Sequence, residues 1–493
     1  MTRADDPPSS GGPLSNGGRL GSGGADGGSG VAALLTVAPE ARRLGEVFGA
    51  AGYQLHLVGG TVRDALLRIS SDEMDLDFTT DARPDRILEL VNPIGVATWT
   101  TGIEFGTVGV QVGDRRCEIT TFRADRYDRV SRNPAVAFGE SLHDDLSRRD
   151  FTMNAMAFSV TGDEVFSDPY GGLADLARGV LKTPGRPEDS FADDPLRMLR
   201  GARFVSTLGV TVDDDVIAAM TAMSGELARI TAERVQAELT KLLLGRPRAA
   251  LELMVSTGMA DAVLPELPAL QMAADEHGQH KDVYAHTLQV LDQAIALENG
   301  PPDLILRLAA LLHDIGKPQT RRFEADRVTF HHHEVVGARM ARARLKALKY
   351  PKVVIDDVSQ LVFLHLRFYG YGRGEWTDSA VRRYVVDAGP LLDRLHKLVR
   401  SDSTTRNARK AAALSRTYDE LEERITVLRE QERLDAIRPD LDGNEIMTIL
   451  DVPPGPLVGR AYKYLLDLRL EHGPLGRDRA VAELLTWRAQ QTD

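Results

Sequence analysis

Residues 58–80, read Val58-Gly59-Gly60-Thr61 through Asp75-Leu76-Asp77-Phe78-Thr79-Thr80, restrict the fold more than any other stretch of the chain. Leu55, Leu57 and Val58 form a short apolar run that predicts a strand. Gly59-Gly60 then allows a tight backbone turn with no Cβ in the way. Residues 61–68 have helical spacing, so Gly60 to Arg63 fall at a helix N-terminus, where free N–H groups and the helix dipole favour a phosphate. On the strand that follows, Asp75 and Asp77 share one face while Leu76 and Phe78 point to the core. Two adjacent carboxylates repel unless a cation lies between them. Paired divalent ions are what nucleotidyl transfer uses to activate one oxygen and stabilise another. The combination therefore predicts a phosphate-handling, metal-dependent transfer site.

The segments VGGTVRDALL and DLDFTT resemble the head signature of class II tRNA nucleotidyltransferases and bacterial poly(A) polymerases, template-independent members of the polymerase-β superfamily. The resemblance implies an α+β head with a mixed sheet, followed by a mainly α-helical neck, an HD domain and a tail. It also implies catalysis by Asp75 and Asp77 with Mg²⁺, and Glu118, on the predicted strand at 116–121, is the candidate third carboxylate. Strands are also predicted at 96–100 and 107–112, and helices at 39–51 and 85–91. A long polar loop is expected at 124–145.

RRDFTMNA, residues 148–155, is a second match. Adjacent arginines supply fixed positive charge for a triphosphate, and a planar guanidinium bridges phosphate oxygens. Gly59, Gly60, Arg63 and Arg149 are the expected triphosphate-side residues, and Asn154, also counted with the nucleotide-binding residues, is expected to order the strand or turn. In the third match, residues 191–204, Asp194, Arg197, Arg200 and Arg203 recur every three positions and share a helix ridge. Family members use the Asp and the first Arg of this helix to choose CTP or ATP, which maps onto Asp194 and Arg197, with Arg200 and Arg203 nearer ribose and phosphates. The family's Glu-Asp is Asp193-Asp194 here. Thr231 is the expected N-cap of the next helix.

A second constellation lies further on: His286, the His313-Asp314 doublet, His333 and Asp402. It resembles the HD-domain metal site, and imidazole with carboxylate suits Mn, Ni, Fe or Mg. Such a site activates water for phosphoester hydrolysis; whether this one is catalytic stays open. From residue 406 the pattern is helical. PGPLVGRA at 454–461 resembles the tail of bacterial tRNA nucleotidyltransferases, and Arg460 and Lys463 are candidate RNA-phosphate contacts, with an earlier basic cluster at Arg339, Arg342, Arg344, Lys346, Lys349 and Lys352.

Domains are expected at 1–30 (a disordered Gly/Ser-rich tail), 31–175 (head), 176–270 (neck), 271–405 (HD) and 406–493 (tail). At 493 residues one core does not suffice. A net charge of −12 excludes a uniformly basic nucleic-acid binder without excluding local basic faces. One cysteine, Cys117, rules out an internal disulfide, and the lack of a long apolar run or an apolar leader predicts a cytoplasmic protein with no membrane contact. The expected substrates are tRNA, CTP and ATP, with no protein partner evident. The rivals are poly(A) polymerase, CC-only or A-only addition, and an HD phosphohydrolase with a degenerate head. Against the poly(A) reading, residues 102–108 lack the basic segment expected there and the chain ends without a basic run.

Overall fold

The computed structural model describes residues 38–69, 75–123, 138–139, 141–163, 165–272, 282–324, 327–368, 376–404, 407–432 and 438–491. The expected tail at 1–30 and most of the expected loop at 124–145 lie outside them. The chain divides into two units, Met1–Arg229 and Ile230–Asp493.

The first unit is built on a seven-stranded mixed sheet, ordered β3-β4-β5-β2-β1-β6-β7. Its strands are β1 (Leu55–Val58), β2 (Leu76–Thr80), β3 (Ala97–Trp99), β4 (Thr107–Val112), β5 (Arg115–Thr121), β6 (Ala157–Ser159) and β7 (Phe166–Ser167). Alternation decides the faces. Leu76 and Phe78 of β2, Val108 and Val110 of β4, and Cys117 and Ile119 of β5 are fully buried. They share one core with Leu44 and Phe48 of α1 (Pro39–Ala50) and Ile87 and Val91 of α3 (Pro84–Val91). The other face keeps Glu118 and Arg116 exposed. Between β1 and β2 runs α2 (Gly60–Leu66).

Part of the expected loop is helical: α4 (Leu142–Ser147) starts at Ser141, whose hydroxyl accepts from the Asp144 N–H. Two helices follow the sheet, α5 (Gly172–Arg178) and α6 (Pro187–Asp193), and then α7 (Leu196–Leu208), which enters the core through Phe204, edge-on to Phe151 with centroids 5.8 Å apart.

Among its described residues the second unit is helical apart from one short hairpin, Arg322–Glu324 with Arg327–Thr329. Its first helix, α8 (Ala232–Leu244), begins after Thr231 as expected, but the Thr231 hydroxyl makes no capping bond. The helices around the histidines are α9 (Val283–Ala296), α10 (Leu304–Leu312), α11 (His333–Ala347), α12 (Lys352–Leu364) and α13 (Leu392–Asp402). Seven successive residues of α10, Leu306 to Leu312, are buried, and Asp303 caps it by accepting from Ile305 and Leu306 N–H groups, a contribution of about 1 kcal/mol. Toward the C-terminus, Leu441, Ile446, Leu465, Leu484 and Trp487 form a separate small core, to which the Asp442–Glu445 capping box contributes by starting a helix at Gly443. Among the described residues no helix is long and apolar enough to cross a membrane.

Candidate active site and metal centre

The acids of the head meet on the open face of the sheet. β2 and β5 run parallel with Asp77 opposite Glu118, and Asp75 stands at the entry to β2. Burial, together with the negative charge of Glu118 and Asp75, pushes the Asp77 carboxyl up to about 6, although Arg149 pulls the other way. That is the signature of carboxylates crowded without enough countercharge, and oxygen ligands of this kind suit a hard divalent cation.

Gly59 ends β1 with φ +68°, a left-handed conformation that disfavours any side chain. A Cβ there would stand 3.1 Å from Arg149 Nη1 and 3.8 Å from Asp77 Oδ2. The glycine turn, the arginine and the acid therefore converge. Thr61 fixes the junction: its hydroxyl accepts from the Asp77 N–H at 3.1 Å and donates to the Asp75 carbonyl at 3.4 Å.

Arg149 is aimed by a buried acid. Asp145 accepts from Arg149 at 3.0 Å and lies 3.3 Å from Arg148 Nε. Burial alone would raise the Asp145 carboxyl, but the two arginines outweigh it and hold it below the usual carboxylate range. Asp150 works in the same way one turn on. It takes Nε and Nη2 of Arg200 at 2.8 and 2.6 Å, and the Asn154 amide at 2.9 Å, and Arg200 keeps it ionised despite its burial.

Arg63 is placed differently from a phosphate ligand at a helix N-terminus. It is buried, donates to the Asn154 side-chain oxygen at 2.7 Å, pairs with Asp64, and lies over the Phe204 ring. Its charge is spent inside the head, where it joins α2 to the RRD turn; Asn154, linking Arg63 to Asp150, is likewise buried. Asp194 does not share the helix ridge of Arg197, Arg200 and Arg203 as expected: it lies in extended backbone between α6 and α7, and accepts from Leu196 N–H at 3.1 Å. Arg197 donates to Ser190 and, at 2.6 Å, to the Arg148 carbonyl, so its guanidinium plane is fixed beside the RRD turn. Arg203 lies over Phe204.

In the second unit His286, His313, Asp314, His333 and Asp402 come together as the sequence ordering implied, with a sixth residue, His365. Two ligand groups form, His286–His313–Asp402 and Asp314–His333–His365. His286 Nε2 lies 2.9 Å from Asp402 Oδ1, while His313 and His333 place Nε2 3.1 and 3.3 Å from the Asp314 oxygens. Three imidazoles share one device. Nδ1 of His313, His333 and His365 bonds the carbonyl three residues back, of Ala310, Phe330 and Val362, at 2.8, 2.8 and 2.6 Å. This leaves each Nε2 buried and without a well-directed hydrogen bond, those of His313 and His333 lying within ion-pair distance of Asp314. Orphaned imidazole nitrogens facing carboxylates fit a bound metal, since an unpaired buried polar atom is otherwise costly. Burial pushes His365 down to about 4, while Asp314 and Asp402 overcome burial and push His313 up to about 10, a proton standing where a cation would. His365 had a readable signal: like His313, it follows an apolar helix directly.

Two residues of the anticipated basic cluster have acidic partners: Arg342 pairs with Asp356 and Arg344 with Glu266. Arg460 and Lys463 are both exposed, three residues apart on the helix Pro456–His472.

A glycine turn, an Asp-x-Asp strand, a third acid on the neighbouring strand and a buried-acid arginine clamp together define a nucleotidyltransferase of the polymerase-β type. Residues 55–182 match the poly A polymerase head domain, 209–270 the probable RNA and SrmB-binding site of polymerase A, and 283–407 the HD domain. An A-adding tRNA nucleotidyltransferase of Deinococcus radiodurans is 33% identical over 423 residues, 84% of this chain and 91% of its own. A CC-adding tRNA nucleotidyltransferase of Thermus thermophilus is 33% identical over 448 residues, 87% of this chain and 93% of its own. The crystal structure of the Bacillus stearothermophilus CCA-adding enzyme with CTP shares the fold, with TM-score 0.65 at 24% identity over 92% of this chain and 98% of that one. The chain belongs to the tRNA nucleotidyltransferase family.

Proposed function

We propose that this enzyme completes the 3′-terminal CCA of tRNA from CTP and ATP in the cytoplasm, with Mg²⁺ in the head. The observation that carries the reading is the convergence of Asp75, Asp77 and Glu118 on one sheet face with Arg149 and the Gly59 turn beside them. Relatives spanning most of the chain act on tRNA, which favours tRNA over poly(A) addition. They divide between adding A and adding CC, so the range of nucleotides is the part most worth testing.

In the reaction the RNA 3′-oxygen bonds to the α-phosphorus of the nucleotide, the bond from that phosphorus to the bridging oxygen breaks, and pyrophosphate leaves. Asp75 and Asp77 hold the cation, which supplies Lewis-acid stabilisation of the phosphate oxygens when bound. Arg149 offsets charge on the departing pyrophosphate, with the backbone of Gly59 and Gly60 close enough to admit it. Glu118 orients the incoming hydroxyl. Asp194 and Arg197 read the base edge, while Arg63, Arg200, Arg203 and Asn154 keep the clamp in place. Arg460 and Lys463 contact RNA phosphates. The division into head, neck, HD domain and tail at residues 175, 270 and 405 is part of the same reading.

The test is extension of a tRNA transcript ending at the discriminator base, with CTP, ATP or both. Two C residues and one A, lost in Asp77→Ala, are expected. A ladder of A on any RNA would replace this reading with poly(A) polymerase, and two C residues or one A alone would restrict it.

A second activity, hydrolysis of a phosphoester by the HD cluster, is favoured by the three orphaned Nε2 atoms. Here His286, His313, Asp314, His333 and Asp402, with His365, hold a transition metal. Release of phosphate or opening of 2′,3′-cyclic nucleotides with Mn²⁺ or Ni²⁺, lost in Asp402→Asn, is the expected result. An unchanged rate in that variant removes the activity from this cluster.

A further inference from the structure

The open face of the head sheet carries one more side chain in register with its acids. Asp77 stands opposite Glu118, Glu118 opposite Gly109, and Gly109 opposite Trp99. Four neighbouring strands thus present a single row, at about 4.8 Å per step. Gly109 offers no side chain, and the Trp99 indole lies back across it: a Cβ on Gly109 would overlap the Nε1 edge of the ring. The indole therefore fills the place beside Glu118. Arg116, two residues before Glu118 and on the same face, holds its guanidinium carbon 5.9 Å from the ring centroid. Trp99 is half-buried, Arg116 is exposed, and the ring is no part of the head's hydrophobic core.

We propose that Trp99 is the stacking platform for the 3′-terminal nucleoside of the acceptor RNA, and that Arg116 contacts its phosphate. This rests on the nucleotidyl-transfer reading of the head. Sheet order decides which substrate lies here. Gly59 and Arg149 are on the β1 side of Asp77, whereas Glu118 and Trp99 are on the β5 and β3 side. In-line displacement sets the leaving pyrophosphate and the attacking hydroxyl on opposite sides of the phosphorus. With the triphosphate against Gly59 and Arg149, the 3′-hydroxyl arrives over Glu118 and the nucleoside bearing it over Trp99. Base–aromatic stacking tolerates any base. That property suits an acceptor whose terminal base changes as nucleotides are added.

The experiment uses the full chain and a tRNA transcript ending at the discriminator base. Trp99→Ala raises KM for RNA about tenfold or more while KM for CTP stays within about twofold. Trp99→Phe restores most of the loss. Gly109→Ala, which displaces the ring without removing it, behaves like Trp99→Ala. RNA binding quenches indole fluorescence in the wild type, and the quench disappears in Trp99→Phe although Trp376 and Trp487 remain; this readout serves even if Trp99→Ala does not fold. An unchanged KM for RNA in Trp99→Ala, or a quench that persists in Trp99→Phe, overturns the proposal while wild-type extension still supports the transferase. A Trp99-dependent quench with no extension by the wild type overturns the transferase reading and leaves the Trp99 contact standing.

Discussion

The protein gathers side chains able to ligate a cation twice, and the two gatherings are built on opposite plans. In the head, carboxylates stand on adjacent strands of an open sheet face, and Glu118 is exposed. In the second unit, imidazoles and carboxylates close around one another on buried helix ends, with His313 fully buried. Oxygen ligands with an open side suit a hard cation that arrives with a triphosphate and shares its oxygens. Imidazoles fixed through Nδ1 suit a resident transition metal. The electrostatics differ as well. Asp77 is pushed toward protonation, to about 6, by burial and then by its acidic neighbours, whereas Asp314 is held well below the usual carboxylate range by His313 and Lys317 despite its burial.

The largest effect should separate the two sites outright. Asp77→Asn lowers nucleotide addition at least about a thousandfold, ~4 kcal/mol of transition-state stabilisation. Metal retained by the His/Asp cluster, measured by elemental analysis after dialysis, stays at the wild-type level; a parallel fall would break the comparison. Conversely, His313→Ala loses the retained metal and costs about 3 kcal/mol in denaturant unfolding, because Asp314 is left buried without that partner. Chelator treatment of the wild type should reproduce the metal loss, while the head regains full activity once Mg²⁺ is restored.

A smaller effect tests the acid that holds Arg200 and Asn154. Asp150→Asn costs about 2 kcal/mol at pH 7, since Arg200, a third exposed, loses its buried partner. Asp150 has a depressed folded pKa, so its stabilisation is complete above the unfolded value near 4 and is lost as pH falls through and below it. Stability curves of variant and wild type should therefore converge in acid; a gap that persists at low pH would show that packing, not charge, is what Asp150 provides. The smallest effect is at Thr61. Thr61→Val removes the hydrogen bonds to the Asp77 N–H and the Asp75 carbonyl, together about 1 kcal/mol, and lowers addition by up to about tenfold through a looser acid pair. No change in rate would mean that the strand alone positions the acids.

The amino-acid order carried much of this on its own. Period-two alternation fixed which face of β2 is acidic, since a one-residue slip would bury Asp77 and expose Phe78. The glycine turn before it needed no tertiary partner to be read, as the φ of +68° at Gly59 is a local property. The order of histidines and acids over residues 286–402 likewise announced a cluster of imidazoles and carboxylates. Pairing across the chain was not legible. Nothing local says that Arg63 turns inward to Asn154, 91 residues away, or that Asp145 and Asp150 hold the arginines. Nor does the basic stretch around Arg342 and Arg344 announce that these two pair with Asp356 and Glu266. Strand order put Trp99 in line with Glu118, and helix packing brought His365 to Asp314. Sequence determines what each residue can do and which face it takes, because those follow from backbone periodicity and side-chain chemistry. Only tertiary structure decides which charges are already spent on one another, because that depends on contacts between residues far apart in the chain.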